Sequence, residues 1–254
     1  MELAYKGTFF LPLRLGFCRK NTNFVGRLGE AVSATLFTSI IPALILSIKE
    51  NRMSHISDKK FVPLPGAFKE DIKNAVEVMN RGGVILYPTD TIWGIGCDAT
   101  NEDAVRRVFE IKHREDSKAL ITLVDSEAKI QFYVRDVPEV AWDLIELSER
   151  PLTVIFDGAR NLARNLLAAD GSVGIRLTRE PFSKELCMRM KRAVVSTSAN
   201  ISGATSPRNF NEISEEVKAA VDYICTSRRD ERLNAQASSI IKLGSGGEVS
   251  IVRP

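Results

Sequence analysis

Apolar positions along this chain follow two alternating rhythms. From Lys69 onward, Ile72, Ala75, Val76 and Met79 recur at three- and four-residue steps, the mark of a helix with one buried face. Gly82-Gly83 is placed to end that helix, because glycine accepts the left-handed turn of a helix C-terminus. Val84-Ile85-Leu86-Tyr87 then reads as a buried strand, and Ala119 to Val124 as another. Between them runs the polar loop Pro88 to Gly96, then a second helix. Asn101 is its candidate N-cap, Glu102 and Asp103 put acids in its first turn, and Ala104, Val105, Val108 and Phe109 form its buried face. The same rhythm predicts helices near 137–149, 181–192 and 211–221. It predicts strands near 152–157, 173–178, 193–197, 238–243 and 249–252. Gly244-Ser245-Gly246-Gly247 is a turn between the last two. Strands alternating with helices define the α/β class, read as one domain over residues 61–254.

Residues 1–52 lack this rhythm. They hold five of the twelve phenylalanines, no aspartate, seven cations and three acids. That leaves the leader at +4, while the whole chain is +3, so the remainder sums to −1. The basic balance belongs to the leader and gives the body no electrostatic argument for binding nucleic acid. Ala31 to Ile48 is uncharged and mostly apolar, which fits a signal or anchor segment, an organellar transit sequence, or a leader from an over-extended reading frame. The last is preferred, because Met53 stands just before a self-sufficient domain.

Cysteines 18, 97, 187 and 225 show no CxxC spacing, which points to a reduced, cytoplasmic chain with neither disulfide framework nor zinc site. With only His55 and His113, His-based metal clusters and most Ser/His/Asp triads are nearly excluded. Chemistry must come from Lys, Arg, Ser, Thr, Asn and acids.

Four groups of residues suit an anionic substrate. Thr89 and Thr91 follow a strand directly, where open α/β sheets bind ligands, although hydroxyls after Pro88 also simply stabilise turns. Lys112 and Arg114 end a helix; such cations complement the helix dipole and can also clamp phosphates. Ser196-Thr197-Ser198-Ala199-Asn200 puts neutral donors at a strand end, and no Walker loop accompanies it. Arg176 lies among apolar residues in a strand, either on a solvated face or aimed into a cleft. Ser238 opens a late strand and Arg253 closes the last one.

In this order and spacing, Gly-Gly-Val-x-x-Tyr-Pro-Thr-Asp-Thr, Lys112-His113-Arg114 and Ser198-Ala199-Asn200 resemble the YrdC family of threonylcarbamoyl-AMP synthases. Ser206-Pro207 matches a further Ser-Pro, and the resemblance spans roughly residues 69 to 254. Trp93 stands where tyrosine is common, Glu115 where proline is common, and Ala119 where Pro or Gly is common. The spacing to Arg253 leaves Ser238 and Ser239 as alternatives, and the end at Pro254 matches the short, single-domain form.

The resemblance implies a twisted mixed parallel and antiparallel sheet with flanking helices and a deep concave groove. It implies synthesis of L-threonylcarbamoyladenylate and pyrophosphate from L-threonine, bicarbonate or CO2, and ATP. Magnesium would travel with the ATP, and the product would pass to a tRNA threonylcarbamoyl-transferase complex. By motif match, Thr89, Arg176, Ser196 and Ser238 hold threonine. Lys112, Asp116, Ser172, Ser198, Ser206 and Arg253 line the ATP site, with Arg114 and Asn200 completing the signature pairs. The contrasting expectation is a YrdC-like RNA-binding or ribosome-maturation protein, binding tRNA or double-stranded RNA without synthase activity.

Overall fold

The computed structural model describes residues 65–114, 120–231, 236–244 and 248–254, which fall within the unit Pro63–Pro254. The leader at 1–52, the domain start at residue 61, and Asp116, Glu115 and Ala119 lie outside the described residues.

Helix α1 (Gly66–Asn80) buries Ile72, Ala75 and Met79, as its spacing predicts. Gly82, at φ 81°, donates to the carbonyl of Met79 at 3.0 Å, and Gly83 donates to that of Val78 at 2.9 Å. These bonds satisfy two of the carbonyls the helix leaves open, and the left-handed φ is why glycine stands there. One buried position breaks the apolar pattern. Asp71 accepts hydrogen bonds from the Tyr223 hydroxyl at 2.6 Å and the amides of Thr226 and Ser227 at 3.0 and 2.7 Å. Those donors replace the water a buried carboxylate would otherwise lose.

Strands β1 (Ile85–Tyr87) and β2 (Gly94–Gly96) form an antiparallel pair. The loop expected up to Gly96 is therefore shorter, because its last three residues are a strand. Two glycines hide that strand from a propensity reading. Gly96 is demanded by packing: a Cβ there would lie 2.5 Å from Cε1 of Tyr87 and 2.8 Å from the carbonyl of Val195. Helix α2 (Glu102–Ile111) follows, with the Asn101 side chain accepting from the amides of Asp103 and Ala104 at 3.0 and 3.1 Å.

The chain continues through β3 (Ile121–Val124), α3 (Glu127–Tyr133), α4 (Val140–Leu147), β4 (Leu152–Phe156) and β5 (Val173–Leu177). Then come α5 (Pro181–Met190), β6 (Val194–Ser198), α6 (Glu215–Ala220), β7 (Tyr223–Ile224), β8 (Ser239–Leu243) and β9 (Val249–Arg253). The sequence pattern misses α3, which spans only seven residues, and β7, which spans two. The helix expected over 211–221 is split: Phe210–Glu212 is a 3-10 turn, and Ser214 caps α6 through the amide of Val217.

Among the described residues, nine strands make one sheet in the order β7-β1-β2-β6-β3-β5-β4-β8-β9. Pairs β1–β7, β3–β5 and β4–β8 are parallel, and the rest antiparallel, so the sheet is mixed as expected. β1 is buried throughout, which explains its uninterrupted apolar run. Helices α1 and α5 pack together through Phe68 and Phe182, edge to face at 5.5 Å. Among the described residues, Cys97, Cys187 and Cys225 are free and buried, and no helix is long and apolar enough to cross a membrane.

Candidate active site

The spacing of Lys112 and Arg114 has a backbone cause. Helix α2 ends at Ile111, and His113 takes φ 48°, the left-handed region. His113 donates to the carbonyl of Glu110 at 3.0 Å, and Arg114 to that of Phe109 at 3.0 Å. This is the helix-ending turn usually built on glycine. It sends the side chains on either side of His113 to different tasks. Lys112 is buried, and its Nζ donates to the carbonyls of Ser198 at 2.6 Å and Asn200 at 2.7 Å. Its own carbonyl accepts from the amide of Ser202 at 2.8 Å. Burial, with Arg114 adding repulsion, lowers the Lys112 pKa to about 8.

Arg114 instead lines a cavity of about 240 Å3 over the centre of the sheet. Arg176, Arg253, Ser196, Ser198, Ser206 and Ser238 line the same space, with Thr91 and Trp93. Strand register explains the convergence. Ser196 and Ser198 alternate with Thr197 on β6, opposite Ile121 of β3 and Gly94 of β2. Arg176 lies between Leu123 of β3 and Thr153 of β4 and is only 3% exposed, so it is not on a solvated face. Its Nη2 lies 2.9 Å from Oδ1 of Asp90 and donates to Oγ1 of Thr91 at 3.3 Å. Burial pushes the Asp90 carboxyl upward in pKa, and Arg176 opposes that.

The other end of the sheet supplies Ser238 and Arg253. Arg253 donates through Nε to the carbonyl of Ser238 at 2.8 Å, and the Ser238 hydroxyl lies 2.8 Å from that of Thr153. Burial lowers the pKa of Arg253, and the nearby Arg176 lowers it further. Ser238 lines the cavity and Ser239 does not. Three guanidinium groups around one space, among neutral hydroxyls, favour a ligand with several negative charges.

The family model named for Sua5, YciO and YrdC, and described as "Telomere recombination", matches residues 77–254. The chain belongs to the Sua5/YciO/YrdC family. A threonylcarbamoyl-AMP synthase of Pseudoalteromonas translucida is 32% identical over 174 residues, 66% of this chain and 91% of that protein. One from Stutzerimonas stutzeri is 32% identical over 184 residues, 72% of this chain and 96% of that protein. The structure of E. coli YciO matches with a TM-score of 0.65 at 25% identity, covering 75% of this chain and 90% of that one. P. abyssi Sua5 complexed with L-threonine matches with a TM-score of 0.68 at 25% identity, covering 76% of this chain. This chain spans only 55% of the length of that Sua5.

Not every residue taken from the Sua5/YciO/YrdC motifs lines the cavity. Thr89 lies behind its wall. The Thr89 hydroxyl donates to the carbonyl of Ile92 at 2.7 Å and accepts from the amide of Thr91 at 3.0 Å, so it holds Thr91 in place. Asn200 donates through Nδ2 to the carbonyls of Ile201 and Ala204 at 3.0 and 2.6 Å, which shapes the loop after β6. The Ser172 hydroxyl donates to Oδ1 of Asp170 at 2.6 Å and is also absent from the lining. Thr153, which supports Ser238, belongs to no motif and gives no signal in the sequence. Asp90 does give one: it is the acid of the Pro-Thr-Asp-Thr motif, three positions past a buried strand.

Proposed function

We propose that this chain is an L-threonylcarbamoyladenylate synthase, making threonylcarbamoyl-AMP and pyrophosphate from L-threonine, bicarbonate or CO2, and ATP. The observation that carries this reading is one cavity lined by three arginines and four serines, with no carboxylate among its described lining residues. The relatives from P. translucida and S. stutzeri are named threonylcarbamoyl-AMP synthases, and the Sua5 structure holds L-threonine, which supports the reading.

In this account, Arg176 receives the threonine carboxylate, with Ser196 and Ser238 as neighbouring donors and Thr89 acting through Thr91. Arg114, Ser198, Ser206 and Arg253 face the triphosphate. Lys112, Asn200 and Ser172 keep the wall in shape around them. The threonine amine adds to CO2, forming an N–C bond and losing a proton, which leaves a carbamate. A carbamate oxygen then attacks the α-phosphorus of ATP. The bond from that phosphorus to the oxygen bridging to the β-phosphorus breaks, and pyrophosphate departs with the electron pair. Negative charge builds on the phosphoryl oxygens and the leaving group, where fixed guanidinium groups stabilise it. No nucleophilic side chain is required.

Among the described residues, no cluster of three His, Cys, Asp or Glu side chains can hold a metal ion. The cavity residues thus do not fit a resident magnesium site. The metal enters this account only as a partner of the ATP phosphates, and no step depends on it. The catalytic domain is residues 61–254, and the product serves a separate transferase complex that modifies tRNA in the cytoplasm. The test is pyrophosphate release, which should require ATP, L-threonine and bicarbonate together. Release at an equal rate without threonine would overturn the assignment.

A further inference from the structure

The loop that carries Thr89, Thr91 and Trp93 has a second side, away from the main cavity. There Arg208, Arg228 and Glu231 line a small recess with Pro88 and Thr89. Arg228 stands out by its backbone and by its contacts. Its φ is 61°, in the left-handed region that an arginine rarely adopts. Its Nη1 donates to the carbonyl of Thr89 at 3.0 Å and lies 3.1 Å from Oε1 of Glu180. Its Nε donates to Oε2 of Glu231 at 2.7 Å.

Glu180 is itself fixed. It is the N-cap of α5, and its carboxylate accepts from the amides of Phe182 at 2.9 Å and Ser183 at 2.7 Å. Arg228 therefore ties a rigid helix start to the backbone at Thr89. From Thr89 the contacts run into the cavity. The Thr89 hydroxyl accepts from the amide of Thr91, and the Thr91 hydroxyl accepts from Arg176. Residues held in sparsely populated backbone regions persist where their surroundings over-determine them, and such positions cluster around ligand sites.

We propose that Arg228 is a positioning residue for the amino-acid end of the cavity. It pins the Thr89 carbonyl to the start of α5, and so fixes where Thr91 and Arg176 present their donors. The proposal rests on the synthase reading in giving that end of the cavity to L-threonine. Arg228 belongs to none of the motifs that carry the family resemblance, and it touches no substrate. Its effect passes through Thr89.

Two variants test it. Arg228→Gly accepts the left-handed φ and keeps the turn, but loses the guanidinium. Arg228→Lys keeps a single charge on a flexible stem. Without substrate, hydrogen exchange across residues 88–93 should quicken about tenfold in Arg228→Gly, and by more than exchange in the rest of the sheet, which follows any loss of global stability. With substrates, its KM for L-threonine should rise about tenfold, the scale of one lost hydrogen bond, while kcat stays within about twofold and KM for ATP is unchanged. Arg228→Lys should fall between the wild type and the glycine variant. Wild-type exchange in residues 88–93 overturns the pin, whatever the enzyme does. Equal rises in KM for threonine and ATP overturn its restriction to the amino-acid end. A wild-type protein that does not turn over threonine defeats the synthase reading instead, and the exchange result still decides whether the pin exists.

Discussion

Nζ of Lys112 lies 2.6 Å from the carbonyl oxygen of Ser198. The lysine of the Lys-x-Arg pair thus holds the end of β6, while Arg114 two residues on lines the cavity. The two residues should fail differently. Lys112→Met leaves two buried carbonyls without their donor, and should destabilise the protein by ~1–2 kcal/mol at neutral pH as well as lower activity. Arg114→Met should lower kcat by a hundredfold or so, as loss of a charge-stabilising donor does, and should cost less unfolding free energy than Lys112→Met, which strands two buried carbonyls. Urea unfolding beside pyrophosphate release separates them. Equal stability losses would contradict the division of labour.

Lys112 also gives a pH signature. Its pKa is about 8 in the folded protein, against an ordinary value of 10.5. Between those values the unfolded chain holds the extra proton, so folding is favoured more as pH rises. The stability of wild type relative to Lys112→Met should therefore climb from pH 8 to 10.5. The climb should approach ~3 kcal/mol, from a shift of roughly 2.5 units at 1.36 kcal/mol each. Comparing the two proteins removes the tyrosines and thiols that titrate in the same range. A flat difference would show that Lys112 is not desolvated.

His113 separates lysine from arginine through its left-handed φ of 48°. Its ring is exposed, 3.6 Å from Glu216, a contact worth little at a solvated surface. His113→Gly should be neutral or slightly stabilising and stay active. His113→Val should lose ~1–2 kcal/mol, since a β-branched side chain resists that conformation, and should misdirect Arg114. Thermal melts and turnover of the two variants check this directly.

Arg176 and Asp90 form a buried pair at 2.9 Å. Arg176→Met would strand the Asp90 carboxylate, so stability should fall by ~3–5 kcal/mol at pH 7. Asp90→Asn in the same chain should recover much of that loss without recovering threonine binding. Calorimetric titration with L-threonine and unfolding of the double variant test the two halves separately.

The alternation of helices and strands was legible because each long element buries a face with its own period. Asn101 and Gly82 were legible because caps depend on a residue's own chemistry. Strand β2 was hidden: Gly96 is there for close approach to its neighbours, and that reason exists only once Tyr87 and Val195 are in place. The site was legible as a set of motifs, and Arg114, Arg176, Ser196, Ser198, Ser206, Ser238 and Arg253 do converge. The division of roles within it was not. Lys112, Thr89 and Asn200 look like ligands in the sequence, whereas Nζ of Lys112, the Thr89 hydroxyl and Nδ2 of Asn200 donate to the protein's own backbone. A hydrogen bond to a carbonyl 86 positions away leaves no trace in the linear pattern.

The most direct measurement is mass spectrometry of the reaction mixture after incubating the protein with ATP, L-threonine and bicarbonate. The account predicts threonylcarbamoyl-AMP, carrying the label when carbon-13 bicarbonate is supplied, and its loss in Arg176→Met and Arg114→Met. Hydrolysis of ATP without any threonine-containing adenylate, or no conversion by a protein that still binds ATP and threonine, would contradict it.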